Sequence, residues 1–343
     1  MTRRDNCFDF LRFLFAFNVV LGHLTVIAVL PAFAPYTHTF NTYLSVTGFF
    51  VISGFLITQS YEKSSLKNYF LKRAKRLLPA YVLVITVCAI GLVSLSTLPA
   101  RAYFSSPDWW QYVAANLCFL NFLHPSLPGV FESPLIHDTA VNPALWTLKI
   151  EVGFYLVLPL LMVWLHKSKR PYIVLGILYL AAVCYRECLN RYGSIAQNDL
   201  CIFMARQLPG FMSYFAAGMA AYLYKDLFLK YRHYLLVPAI VLFILEYRVL
   251  GCEIITPLAW ASIVLWAAYS LPALNNFAKY GDISYGIYIY HGPILKILLS
   301  VGCFTAIGTW PAAAVYVTLV CLAGFASWHL LENRFLKRKP TTL

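Results

Sequence analysis

The feature that most constrains this chain is a succession of long apolar runs divided by short basic loops. Runs of 18 or more residues lie at about 8–30, 43–60, 77–97, 144–165, 207–224, 254–271, 283–301 and 307–331. About 20 apolar residues in helical form cross a hydrocarbon core of ~30 Å, so each run has the length of one transmembrane helix. Two weaker runs, about 172–185 and 234–247, are short for a bilayer and bring the count to ten. The expected fold is therefore an all-α integral membrane protein, one polytopic domain over residues 1–343.

Composition and charge agree. Only 12% of residues are charged and 60% are hydrophobic, where soluble domains carry about 25% charged residues. A net charge of +13 suggests nucleic acid, but the basic residues sit in the loops, as the positive-inside rule requires, so no nucleic-acid partner is expected. With the N-terminus inside, twenty of the 27 Lys and Arg fall on the inner side, among them Arg3, Arg4, the "LKRAKR" cluster, "HKSKR" and the C-terminal "KRK". Ten spans then leave both termini cytoplasmic, with membrane lipid as the surrounding partner. The stretch "WQYVAANLCFLNFL" (110–123) is apolar but too short to cross. If it spanned, every later loop would change sides, so it is expected to be an interfacial or re-entrant piece of a large outer loop at about 98–143. That loop, which includes Asp108, either caps the bundle or serves as a lid or acceptor platform. The first apolar run is too long for a typical signal-peptide h-region and contains Arg12 and His23, so it is expected to be retained. Nine cysteines, an odd number mostly inside apolar runs and without a C-x-x-C pair, imply neither a disulfide framework nor a metal site.

Ionisable groups inside spans are costly and usually face the bundle interior, which makes each one a functional candidate. In "RFLFAFNVVLGH", Arg12 and His23 stand eleven residues apart. At 100° per residue both lie on one helix face, roughly 16 Å apart along the axis. His23 lies about 22 Å from the inner face, and Glu151, in a span entering from outside, lies at about the same depth. The two form either a base with its orienting carboxylate or a structural hydrogen bond across helices. His291 precedes a Gly-Pro pair in "GDISYGIYIYHGPI", beside the hydroxyls of Tyr285, Tyr288 and Tyr290. It reads as a satisfied bundle residue or as a second chemical group. Arg73 and Arg76 share a face at i,i+3, as a phosphate clamp or as positive-inside decoration. Ser53-Gly54 suits close helix packing or a substrate path.

These segments, taken in order, make the chain similar to the membrane acyltransferase-3 family, whose members O-acylate sugars and other acceptors at bacterial surfaces. The resemblance rests on R-x10-H at Arg12 and His23, "SGFLI" at 53–57, and R-x-x-R at Arg73 and Arg76. It continues through "LWTLKIE", from Leu145 through Trp146 to Glu151, then "ISYGIYIYHGP" and "SWHLLENRF", spanning residue 8 to about 335. It implies a multi-pass protein of the bacterial cytoplasmic membrane and a cytoplasmic acyl-CoA donor, acetyl-CoA being the leading candidate, used as a co-substrate with no permanently bound cofactor. It further implies His23 as the catalytic residue, Arg12, Arg73 and Arg76 at the donor end, and a polysaccharide or lipid-linked glycan acceptor. The imidazole then acts as general base or carries the acyl group, with Glu151 holding the ring. Ser53, Asp108, Trp146, Tyr288 and His291 are candidates for the pocket. A different class of function also accommodates intramembrane His, Glu and Arg: a proton-coupled exporter of a small acidic metabolite or glycan precursor.

Overall fold

In a computed structural model, the described residues are 5–336; Arg3, Arg4 and the C-terminal "KRK" lie outside them. The helices are α1 (Phe8–Ile27), α2 (Thr42–Glu62), α3 (Leu66–Gly91), α4 (Ala100–Ser105), α5 (Pro107–Leu117), α6 (Trp146–Lys167), α7 (Pro171–Ala196) and α8 (Asp199–Ala205). They continue with α9 (Leu208–Leu223), α10 (Lys225–Ile244), α11 (Thr256–Ser270), α12 (Ser284–Ser300), α13 (Cys303–Ala306), α14 (Thr309–Ala326) and α15 (Asn333–Leu336). Among the described residues there is no strand, and the chain is an all-α integral membrane protein.

Among the described residues, seven helical stretches are long and apolar enough to cross a membrane, and eight when α11 and the 72° bend into Pro272–Tyr280 are taken as one span. The expected spans at 207–224 and 283–301 are the shorter α9 and α12, of 16 and 17 residues. The two weak runs are longer than their apolar cores. The run at 172–185 is the 26-residue α7, and 234–247 lies inside α10, which continues as a π-helical turn over Leu245–Leu250. The run at 172–185 stops at a charge, Arg186, and the run at 234–247 contains one, Glu246; the helices carry on past both, and both charges are paired. In α7 the side chain of Arg186, 1% exposed, lies 3.3 Å from Glu253 and 3.5 Å from Glu187. In the π turn, Glu246 accepts from the amides of Ile255 and Thr256 at 2.6 Å each.

The chain forms two compact units. The first gathers the segment up to Leu11, Val46–Phe70 and Ile150–Phe277. Its core includes a close approach of α2 to α9: a Cβ on Gly54 would collide with the Phe215 carbonyl, and one on Gly218 with the Val51 carbonyl. Only glycine permits this backbone contact, which assigns "SGF" a packing role. Phe154 and Phe215 stack at 4.2 Å beneath it.

The second unit gathers Arg12–Ser45, Leu71–Lys149 and the chain from Ala278 onward. Here α12 packs on α14 glycine to glycine, with a Cβ on Gly286 only 2.7 Å from the Cα of Gly324. The 110–123 stretch begins in α5, an 11-residue helix of about 16 Å, too short to span and capped by the Ser106 hydroxyl. The outer loop then runs back as an extended segment whose backbone pairs with the end of α1. Val29 N–H donates to Leu135 O and His137 N–H to Ile27 O, both at 3.0 Å, around the antiparallel bridge Ala28–Ile136.

Candidate active site

The second unit brings two histidines from opposite ends of the sequence together. His23, one turn before the end of α1, places Nδ1 2.7 Å from Nε2 of His291 on α12, with ring centroids 4.9 Å apart. His291 Nδ1 lies 2.7 Å from the carbonyl oxygen of Tyr288. A carbonyl only accepts, so His291 Nδ1 carries a proton. With both rings neutral, His291 Nε2 then holds a lone pair and accepts from the Nδ1–H of His23. The network therefore dictates that the Nε2 of His23 is the basic nitrogen, aimed away from its partner. His291 is 0% exposed, while His23 is half-buried.

The surroundings of His291 explain how it is held. The Tyr288 hydroxyl meets Thr147 Oγ1 at 2.7 Å, fixing α12 to the first turn of α6, and the Tyr288 ring packs edge-on to His291 at 5.9 Å. Pro293 has no N–H, so the helix offers no donor to the carbonyl four residues earlier, Ile289. Asn142 supplies it: its Nδ2 donates to Ile289 O at 2.8 Å, while its Oδ1 caps the next turn by accepting from Ala144 N–H at 3.2 Å. Gly292 leaves room for this, since a Cβ there would press on Pro143 and Asn142 at 3.0–3.1 Å. The Gly-Pro pair thus docks the outer loop onto the histidine helix.

At the N-terminal ends of the same two helices, the ends expected to be inner from the loop charges, lies a charge network. Asp282, two residues before α12, takes Arg12 at 3.2 Å and Arg76 at 2.6 Å; Arg76 also lies 3.4 Å from Glu332. Ser284 donates to Asp282 through both its amide and its hydroxyl, and Ser327 donates to Glu332. Arg76 is flanked by Tyr285 and Trp328 at 5.8 and 5.6 Å from the ring centroids. Burial alone would raise the Asp282 carboxyl, but Arg76, then Arg12, and the Ser284 hydrogen bonds hold it well below the usual carboxylate range. Arg12–Asp282 and His23–His291 increase together along both segments, so α1 and α12 run parallel.

The residues that form these two levels carry a recognisable order of motifs, and comparison with known proteins decides what they are. Residues 5–329 match the acyltransferase-3 family model, described as an acyltransferase domain. The chain belongs to the acyltransferase-3 family. It is an enzyme, an acyltransferase, and a multi-pass membrane protein. This acyltransferase is 26% identical to an O-acetyl transferase of Shigella phage Sf6 over 99% of its own length and 98% of the relative's. It is 28% identical to nodulation protein 10 of Rhizobium leguminosarum bv. viciae, over 98% and 94%. A third relative, the peptidoglycan O-acetyltransferase OatA of Listeria monocytogenes, is 31% identical over 46% of this chain and 26% of that protein. No solved structure matches. Family membership sets aside the exporter alternative.

The acyltransferase brings together some of the residues singled out by sequence and distributes others. His23, His291 and Tyr288 meet, and Arg12 meets Arg76 across Asp282. Arg73 lies half-buried one turn before Arg76. Trp146 begins α6 beside Thr147, and Asp108 is exposed in the first turn of α5. Ser53 and Glu151 belong to the first unit, where the Glu151 carboxylate accepts from the Tyr155 hydroxyl at 2.5 Å. His291 stands at the His23 Nδ1 position. Sequence reasoning missed Asn142, Asp282, Lys296 and Glu332. Lys296 carried the clearest signal, a lone cation in the apolar run "PILKILLS".

Proposed function

We propose that this protein is an O-acetyltransferase of the bacterial cytoplasmic membrane, moving an acetyl group from cytoplasmic acetyl-CoA to a hydroxyl of a surface polysaccharide or its lipid-linked precursor. The observation that carries the proposal is the ordered chain from the Tyr288 carbonyl through His291 to His23, which leaves His23 Nε2 as a base. An acceptor O–H gives its proton to Nε2 as its oxygen bonds to the thioester carbonyl carbon. The carbon–sulfur bond then breaks and the departing thiolate takes the proton from Nε2. In between, the imidazolium of His23 donates through Nδ1 to His291 Nε2, which spreads the charge toward the Tyr288 carbonyl. An acyl-His23 route uses the same nitrogen; the general-base route is preferred because a hydroxyl needs a proton acceptor at neutral pH. The names of the phage and Listeria relatives support acetyl as the group and a cell-surface glycan as the acceptor.

At the inner end, Arg12 and Arg76 meet across Asp282, and Arg73 lies on the same helix face as Arg76. A polyanionic donor is drawn to these guanidiniums, and its extended pantetheine arm reaches outward along α1 toward His23. The test compares the mass of the surface glycan in cells carrying the gene, lacking it, and carrying His23→Ala. The expected result is one acetyl group gained only with the intact gene. A His23→Ala protein that expresses normally and acetylates as well as the parent would end this reading.

A further inference from the structure

The α12 helix carries a cation of its own. Lys296, five residues past His291, has a side chain that is 0% exposed. Its ammonium donates to Asp138 Oδ1 at 2.6 Å, Asp138 O at 2.8 Å and Ala140 O at 2.5 Å. An ammonium has three N–H groups, and here three acceptors on two residues of the outer loop, Asp138 and Ala140, match them. Asp138 Oδ1 also accepts from Ala140 N–H at 2.8 Å, so one carboxylate both shapes the turn and binds the cation. The same segment is joined by backbone pairs to Ile27 and Val29 at the end of α1, and by Asn142 to Ile289 on α12. Residues 135–142 therefore form a strap. It is fastened to α1 four to six residues past His23, and to α12 on both sides of His291.

We infer that Lys296 and Asp138 are the latch of this strap, positioning residues that close the outer side of the histidine pair so that the acyl donor is not lost to water. The inference rests on His23 Nε2 being the base. An open strap lets water take the acceptor's place: water gives a proton to Nε2, its oxygen bonds to the thioester carbonyl carbon, the carbon–sulfur bond breaks, and the thiolate takes the proton. The products are acetate and free CoA. A buried cation that fastens a loop by all three of its donors fits this role better than a general contribution to packing, because apolar residues would fill the same volume without desolvating a charge.

The experiment supplies acetyl-CoA, without any acceptor, to the full-length protein in lipid nanodiscs and measures released CoA as free thiol. Lys296→Met removes the cation at similar side-chain length. Asp138→Ala removes the carboxylate from a side chain that is 40% exposed, where folding is little affected. Both variants are expected to release CoA at least about 5-fold faster than the parent, and Asp138→Asn, which keeps both acceptor positions, by less. Adding His23→Ala to either is expected to abolish the gain. A merely destabilised protein loses activity and does not acquire a hydrolysis that depends on His23. Equal or slower release by both Lys296→Met and Asp138→Ala overturns the latch. If cells carrying His23→Ala lose glycan acetylation while the latch variants release no extra CoA, the strap falls and His23 stands. If the gain survives His23→Ala, the His23 assignment falls and with it the placement of the latch around that residue.

Discussion

Helices α1 and α12 meet at two levels, and the two meetings are built in opposite ways. At the inner level two guanidiniums and two carboxylates answer one another, with every pair at 3.4 Å or less. At the outer level two uncharged rings share a single directed path of hydrogen bonds that ends in a nitrogen with its lone pair to spare. The first unit repeats the inner pattern with Arg186, which lies between Glu253 and Glu187 and also donates to Gly210 O and Ser213 Oγ. Charges that cancel at close range hold helices in place. A base whose hydrogen-bond partner fixes its orientation has capacity left for chemistry.

The sharpest way to break this comparison is to remove the reactive ring. His23→Ala should lower kcat by about 10³-fold or more, within the range for loss of a positioned general base, with the KM for acetyl-CoA little changed. Steady-state transfer measured in nanodiscs checks it. A large rise in KM at constant kcat would make His23 a binding residue instead. His291 should follow with a smaller effect that depends on what replaces it. His291→Phe removes the acceptor for His23 Nδ1–H and should cost about 10²-fold in kcat, on the scale seen when a base loses its orienting partner. His291→Gln retains an amide oxygen near the position of Nε2 and should recover part of that loss. Equal effects of Phe and Gln would show that the ring of His291 only fills space.

At the inner level the expected currency is stability. Asp282→Ala leaves Arg12 and Arg76 facing each other without the carboxylate between them, and should cost about 3 kcal/mol, the low end of the range for breaking a buried pair because both guanidiniums retain some exposure. Thermal unfolding in detergent measures this, with acetyl-CoA KM determined on the same samples. An unchanged unfolding midpoint with a KM raised tenfold would transfer Arg12 and Arg76 from the frame of the protein to its donor site.

The contrast also marks what can be read from a linear chain. The helices were legible because apolar runs report length directly, and His23 was legible because a lone polar group in such a run stands out. Counting residues from the membrane edge gives a height, and Glu151 and His23 come out level by that count. Height does not give the bearing around a bundle, and so the partner at Nδ1 is His291, 268 positions away in sequence. The same limit hid Asp282 and Glu332. Both sit in motifs quoted for other residues, and their pairing with Arg76 spans 206 and 256 positions. Lys296 differs, since the rule that singled out His23 applies equally to it. Arg186 was lost for a simpler reason: counting apolar residues stops at a charge, whereas a helix continues through a charge that is paired.

The smallest predicted effect tests whether the inner level is held by charge or only by hydrogen bonds. Asp282 has a folded-state pKa depressed below its ordinary value of 3.8, so its contribution to stability is complete above that value and disappears as the pH falls through and beneath it. Asp282→Asn keeps acceptors for the guanidiniums and loses the charge, so at pH 7 its unfolding midpoint should lie modestly below that of the parent. Between about pH 4 and pH 3 the parent should begin to bind a proton on unfolding that the folded state refuses, and its midpoint should descend toward that of Asp282→Asn. Paired unfolding curves from pH 7 down to pH 3 measure the gap between the two proteins. A gap that stays constant across that range would mean the carboxylate acts through shape and hydrogen bonding, and the inner level would then lack the charge cancellation that sets it apart from the histidine pair.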